Sequence, residues 1–302
     1  MLELEKNLWV VVPQSPPRYP YANSIYIDDE RPCVIDFGAG ANAFNELPRE
    51  QIQVGLISHF HFDHVHGDTL FPNIERYAGK EEVGTYSDRD TYMSFHGYDA
   101  WEKLMGISRE NYGLTVPLPD DVVVQPGFRE IPIVGTLTDG QVIDLGARQI
   151  KAIHLPGHTL GHYGFYFEKE DILFTGDIDL VPAGPWYSSN SADVGALIES
   201  VKRVKEIDPR ILVPSHRRVF REGIQEGLDR FIQVVIDREA KVLELLAEPQ
   251  SIDGLASYKL TFPNAHNLYE EFWEKLTMRN HLRHLLQIGE IKEIEPGMYQ
   301  RS

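Results

Sequence analysis

Cysteine is nearly missing from this chain. Cys33 stands alone among 302 residues, so no disulfide forms within one chain and no thiolate cluster can hold a metal. Cationic side chains are few: 29 Lys and Arg face 46 Asp and Glu, a formal net charge of −17. Such a surface repels a phosphate backbone and disfavours nucleic acid as a partner. No apolar run is long enough to span a bilayer. Met1 to Asn7 alternate in charge, without the hydrophobic stretch of a secretory signal. Internal repeats and low-complexity tracts are absent, and so is the G-x-S-x-G of a serine hydrolase. These absences point to a cytoplasmic enzyme with no membrane partner. The composition is that of a globular protein, 42% hydrophobic and 25% charged, and the length suits one large domain or two smaller ones.

Histidine and aspartate, by contrast, are crowded. Ser58 to Asp68 read SHFHFDHVHGD, which places His59, His61, Asp63, His64 and His66 within eight positions. A buried segment excludes such groups unless their polar atoms are satisfied, and a cation satisfies several at once. Imidazole and carboxylate are ligands that zinc, iron and manganese share. His59 and His61 lie two apart on an extended segment and point the same way. Asp63 and His64 are adjacent and point elsewhere if the chain turns into a helix. That arrangement suits two metals better than one.

The cluster begins where the apolar strand VGLIS (Val54 to Ser58) stops. Three more predicted strands end in the same manner. KAIHLP (Lys151 to Pro156) leads to His158, DILFTG (Asp171 to Gly176) to Asp177, and RILVPS (Arg210 to Ser215) to His216. Strand ends that converge on one sheet edge place loops, and therefore function, on a rigid scaffold. Short strands are also predicted at LWVVVP, NSIYI and PCVIDFG, and a hairpin turning at LGAR between Asp139 and His158. Ala192 to Ile207 has helical spacing, with Asp193 or Ser191 as cap. Asp88 to Ile107 reads as one or two short helices broken at Gly97. Leu228 to Glu248 and Asn267 to Gly289 are predicted helices, the former ended by Pro249, and the last residues alternate like a small hairpin.

HFHFDH resembles the H-x-H-x-D-H signature of the metallo-β-lactamase superfamily. Asp36 in VIDFG, His158 in PGHTLGH, Asp177 in TGD and His216 in VPSH follow in the family's order. The resemblance covers the chain to about residue 220. It implies an α/β fold, a four-layer αβ/βα sandwich, over a catalytic domain of residues 1–221. Residues 222–302 are then a C-terminal helical, winged-helix-like appendage. The resemblance further implies that His59, His61 and His158 hold one divalent metal, that Asp63, His64 and His216 hold a second, and that Asp177 bridges them. Asp36 and His162 would support the ligands from behind. Zinc is the first choice of metal, with iron or manganese as alternatives. Two such cations share a water and bring its pKa towards about 7, and Asp63 is the candidate to accept a proton during turnover.

The implied function is hydrolysis of a small ester, thioester or lactone by a dinuclear-metal-bound hydroxide, as in glyoxalase II-like members. Basic counterparts to that enzyme's glutathione-binding residues are not evident. Two alternatives are a phosphodiesterase or endoribonuclease, for which HRRVFR (His216 to Arg221) is a local basic patch, and a mononuclear iron dioxygenase of the persulfide-oxidising type. A non-enzymatic winged-helix regulator is disfavoured by the complete ligand set. Trp186 and Tyr187 are candidates for the substrate pocket, and the aromatic stretch with Tyr92, Phe95, Tyr98 and Trp101 for a lid. The remaining histidines are read as bland: His66, His281 and His284 as surface, His154 as half-buried in a strand. Cys33 is read as a small core residue. A small-molecule partner and a homodimer complete the expectation.

Overall fold

The computed structural model describes residues 1–110, 112 and 117–302. Seven strands form the first sheet in chain order: β1 (Leu2–Glu5), β2 (Leu8–Val11), β3 (Ser24–Ile27), β4 (Cys33–Ile35), β5 (Val54–Leu56), β6 (Glu75–Gly79) and β7 (Gly135–Leu137). They pair antiparallel up to β4 and parallel from β4 to β7. The second sheet contains β8 (Val142–Asp144), β9 (Gln149–His154), β10 (Tyr163–Phe167), β11 (Ile172–Gly176) and β12 (Ile211–Pro214), in the spatial order β12-β11-β10-β9-β8. Its pairs are antiparallel except β11 with β12.

Alternation along the strands explains how the layers stack, because successive side chains leave a strand on opposite faces. Cys33 and Ile35, Val54 and Leu56, Ile172 and Phe174, and Ile211 and Val213 all enter one core between the two sheets. The residues between them face outward. Val34 joins Phe37, Phe44 and Phe71 under the outer layer of the first sheet. Leu173 and Leu212 pack against the helices that cover the second. Strands buried on both faces read as continuous apolar runs, which is why ILF and ILV are so plain in the sequence. The fold is the four-layer αβ/βα sandwich.

The helices are α1 (Ala41–Phe44), α2 (Phe62–Val65), α3 (Arg89–His96), α4 (Trp101–Met105), α5 (Val194–Ile207), α6 (Ile224–Leu245), α7 (Ile252–Ala256) and α8 (Leu268–Gln287). Asp193 caps α5 by accepting from the Ala196 N–H at 2.8 Å, and Gly97 ends α3 in a left-handed conformation. A ribbon of β13 (Ile291–Glu295) and β14 (Met298–Arg301) closes the chain. No helix among the described residues is long and apolar enough to cross a membrane.

Strands β1, β6, β7 and β10 were not distinguished in the sequence. Helix α6 starts one turn before the predicted Leu228. Its extra turn places Ile224 with Leu228 and Phe231 on one stripe against Ile153, Leu173 and Leu212. The second half of the same helix supplies Val242 to a separate cluster with Leu255, Met278 and Leu282. One rigid helix therefore belongs both to the outer layer of the second sheet and to the C-terminal bundle. Truncating Leu228, which has no exposed surface, to Ala is expected to destabilise the whole chain by about 2–5 kcal/mol. Urea unfolding checks this: an unchanged midpoint would show that α6 only leans on the sheet.

Candidate metal centre

Strand β5 stops at Leu56, and the next residues turn across the sheet edge. His61, the residue before α2, is extended (φ −64°, ψ 149°). Asp63 and His64 fall in the only turn of α2, so the helix start separates them from the His59–His61 pair. The turn lies hard against β4. A Cβ on Gly38 would sit 1.9 Å from the Asp63 carbonyl oxygen, so only glycine permits this approach. Gly157, beside His158, has φ +127° and meets the Leu197 backbone at 2.2 Å in the same sense.

Three loops from the second sheet complete the centre. His158 follows β9, Asp177 follows β11, and His216 follows β12. His59 Nε2, His61 Nδ1 and His158 Nε2 lie 2.9–3.1 Å from one another. His216 Nε2 is 3.3 Å from both Asp63 Oδ2 and Asp177 Oδ1. Asp177 reaches both groups: Oδ2 lies 3.3 Å from His158 Nε2, and Oδ1 lies 3.0 Å from His64 Nε2. The structure thus gathers His59, His61, His158 and Asp177 in one group, and Asp63, His64 and His216 in another, with ligand atoms within 4.8 Å in each.

These atoms fit a pair of cations on the structure's own terms. Donor nitrogens at the usual 2.0–2.1 Å from zinc lie roughly 3.3 Å from each other in a tetrahedron, close to the spacings seen. His64 Nε2 and Asp177 Oδ1 approach to 3.0 Å, yet both are buried without a hydrogen bond. Two atoms that close and that misaligned are directed at a common third point. Burial, followed by the neighbouring imidazoles, holds His59 and His61 well below the ordinary histidine range, so their lone pairs are free. For His64, burial also disfavours charge, but Asp177 and Asp36 outweigh it and hold the ring well above that range.

The outer nitrogens of His59, His64, His158 and His216 are held as well as the inner ones are aimed, whereas His61 Nε2 is buried without a hydrogen-bond partner. Asp36, fully buried and in a left-handed conformation (φ 57°), accepts from His64 Nδ1 at 2.7 Å, from the Ser58 hydroxyl at 2.6 Å and from the Ser58 N–H at 2.7 Å. Ser58 Oγ lies 3.0 Å from His59 Nδ1. The Trp186 carbonyl accepts from His158 Nδ1 at 2.6 Å, and the Tyr21 carbonyl from His216 Nδ1 at 3.1 Å. Each contact fixes a ring and leaves its other nitrogen facing inward. His162 donates to the Leu155 carbonyl and accepts from the Asp177 N–H at 3.1 Å, so it positions the Asp177 backbone.

Several sequence expectations change here. His66 is completely buried, with Nε2 3.3 Å from the Gly38 carbonyl, because the short helix turns it inward. His281 is buried too, between Tyr187 Oη at 2.9 Å and Glu239 at 3.2 Å. His284 is half-buried on the same Glu239. Tyr187 does not face the cavity: its hydroxyl is held by His281 and Arg238. Trp186 does line the cavity and meets the His61 ring edge-on at 5.1 Å. Trp101, by contrast, is core, packed at a tilt against Tyr269 and Phe272 of α8. Two of the three arginines of HRRVFR lie over the Phe220 ring, at 5.4 Å for Arg217 and 5.6 Å for Arg218.

Two supports carried no signal in the sequence. Glu82 is buried beneath the centre and accepts from Thr159 Oγ1, the Gly161 N–H and the Phe60 N–H. It ties the His59–His61 loop to the His158 loop, and burial pushes its carboxyl up to about 8 against those hydrogen bonds. Asn280 of α8 donates to the carbonyls of Tyr187 and Ser189. It clamps the loop whose Trp186 carbonyl orients His158.

A cavity of about 800 Å³ opens in front of the ligands, lined by His61, Asp63, His158, Asp177 and His216 on its floor. Comparison with known proteins agrees with this geometry. The profile of the Metallo-beta-lactamase superfamily matches residues 19–216. The "Beta-lactamase-like protein 2 homolog" of Caenorhabditis elegans is 23% identical over 78% of this chain and 65% of its own length. The "Hydroxyacylglutathione hydrolase" of Francisella philomiragia is 32% identical over 40% of this chain and 48% of its own. The chain thus spans under two thirds of the length of either relative. A crystal structure of a metallo-beta-lactamase family protein from Thermus thermophilus superposes with a TM-score of 0.75 at 19% identity, covering 99% of this chain and all of that one.

Replacing Asp36 by Asn leaves a near-isosteric group but removes the carboxylate that fixes His64. Metal affinity is expected to fall about 10–100-fold, read by competition with a chromophoric chelator, with the far-UV circular dichroism unchanged. Equal affinity in both proteins would remove Asp36 from this role.

Proposed function

The chain belongs to the metallo-beta-lactamase superfamily, and from that premise we propose that this hydrolase cleaves a small ester, thioester or lactone with two divalent metals in its centre. The observation that carries the reading is Asp177, whose two oxygens turn to two separate ligand groups on the floor of one cavity. His59, His61 and His158 would hold the first metal, Asp63, His64 and His216 the second, and Asp177 would bridge. When bound, such a pair lowers the pKa of a shared water and polarises a carbonyl oxygen.

The protein's own residues set the rest. Asp36, Ser58 and the Trp186 and Tyr21 carbonyls fix the ligand rings before substrate arrives, so little reorganisation is left for the reaction itself. Asp63 faces the cavity beside His216, where it is placed to take a proton during turnover. Tyr92, Tyr98, Phe128, Trp186 and Trp273 wall the cavity. Apolar walls exclude bulk water and favour a small organic substrate over a polymer. This supports the small-ester reading over an endoribonuclease, as does the engagement of Arg217 and Arg218 over Phe220. The name of the Francisella relative, "Hydroxyacylglutathione hydrolase", supports testing thioesters first. Zinc is the first metal to test, then iron and manganese.

Alanine at His61 or at Asp177 is expected to cut turnover of thioester and lactone substrates by about 10²–10³-fold or more, by analogy with loss of an electrostatic catalytic group, while circular dichroism shows a folded chain. Dialysis against chelator should abolish activity, and divalent metal should restore it. A chain that keeps its rate in chelator, or in both variants, would sink the reading.

A further inference from the structure

One wall of the cavity holds groups that hydrolysis alone does not use. His96, the last residue of α3, is 9% exposed and lines the cavity, and its Nε2 has no hydrogen-bond partner. A buried ring nitrogen left without a partner is destabilising, and a ligand atom at that place relieves it. The His96 ring stacks near-parallel with His61 at 5.5 Å and with Tyr98 at 4.8 Å. The guanidinium of Arg109 lies over the Tyr98 ring, 4.5 Å from its centre. A run of rings thus leads from a metal-ligand side chain to a fixed positive charge.

Arg109 is held in place without being neutralised. It donates to Tyr269 Oη at 2.9 Å and contacts Met93 Sδ at 3.8 Å. The arginines that pair with carboxylates are Arg31, Arg76, Arg129, Arg148, Arg203 and Arg210. Arg109 pairs with none among the described residues, nor do Arg18 and Arg89, which line the same cavity. Acidic residues outnumber basic ones by 46 to 29 in this chain, yet these three cavity arginines form no ion pair among the described residues. Arginine with its remaining N–H groups free is the usual reader of carboxylate and phosphate.

We propose that the substrate is an ester or thioester with an apolar, aromatic-sized body that carries an anionic group, which Arg109 binds while the scissile carbonyl lies at the His59–His158–Asp177 group. The body lies along His96 and Tyr98, and His96 Nε2 meets a polar atom of it. The three spacings add to about 15 Å, which caps the distance between the Arg109 guanidinium carbon and the His61 ring and keeps the substrate to small-molecule length. Hydrolysis consumes one water: the acyl carbon gains a bond to its oxygen, the bond to sulfur or to the ester oxygen breaks, and the leaving thiol or alcohol takes the proton. The proposal rests on the hydrolase reading and narrows its substrate.

The test uses the full-length, metal-loaded protein and matched probes. These are the S-phenyl monothioester of 1,4-phenylenediacetic acid, its counterpart with the free carboxylate replaced by a primary amide, and its phosphonate counterpart. In the wild type, kcat/KM for the acid should exceed that for the amide by about tenfold or more. In Arg109→Gln that ratio should fall towards unity, and Arg109→Lys should keep part of it. A phosphonate preferred over the acid supports the same site with phosphate as its natural group. Equal turnover of acid and amide in the wild type, or a ratio undiminished in Arg109→Gln, overturns the proposal. If no probe is cleaved, the thioester arm of the hydrolase reading fails for this series, and binding then decides the anion site. Calorimetry would use the acid's thioether analogue, with CH2 in place of the scissile carbonyl. Affinity about tenfold tighter for the wild type than for Arg109→Gln supports the site, and equal affinities overturn it.

Discussion

Lone pairs that repel one another, forced into one buried space, are the constraint on which this structure turns. Five imidazole rings and two carboxylates converge below the surface, with His59 and His64 fully buried and His158 nearly so. Such a gathering is unfavourable in a protein interior unless positive charge fills its centre. Everything around it is arranged to hold the rings against that repulsion. Glycine at position 38 lets two backbones nearly touch, Asp36 accepts three hydrogen bonds in a strained conformation, and Glu82 is buried with its carboxyl tied to two loops. The rigid edges of two sheets supply the frame, because loops alone do not fix ring positions to a fraction of an ångström.

The C-terminal helices take part in that frame. Helix α8 grips the segment from Tyr187 to Ala192 through Asn280, Thr277, Arg279 and Arg283. Behind it Tyr187, His281, Glu239 and Arg238 form a buried polar network between α6 and α8. The aromatic wall is shared in the same manner, since Trp101 of α4 packs on Tyr269 and Phe272 of α8. The cavity is therefore built from both ends of the chain, and its shape depends on helices that carry no metal ligand.

What was legible in the sequence was local. Each of four apolar strands announces itself by a run of β-branched and aliphatic residues, and His59, His158, Asp177 and His216 each lie within a few positions of a strand end; spacing showed that these ends can converge on one edge, and the family resemblance implied that they do. The helices with clear stripes and caps, such as α5 with Asp193, were legible for the same reason. What escaped was long-range. Glu82 meets Thr159 across 77 positions, and Asn280 meets Tyr187 across 93. Nothing near either residue marks it. His66 and His281 were misjudged because a polar side chain on a short or amphipathic helix looks solvated until its neighbours are known. Strand β7 is three residues long with an exposed centre, too short to stand out from a loop.

The clamp of α8 on the Trp186 loop has a thermodynamic corollary. Trp186 holds His158 through its carbonyl, and α8 holds the residues that follow Trp186, from Tyr187 to Ala192. Linkage is reciprocal: whatever fastens His158 also raises the free energy needed to open α8. Amide protons of that distant helix should then be among those that exchange more slowly when metal is added, although no atom of it lies in the coordination shell.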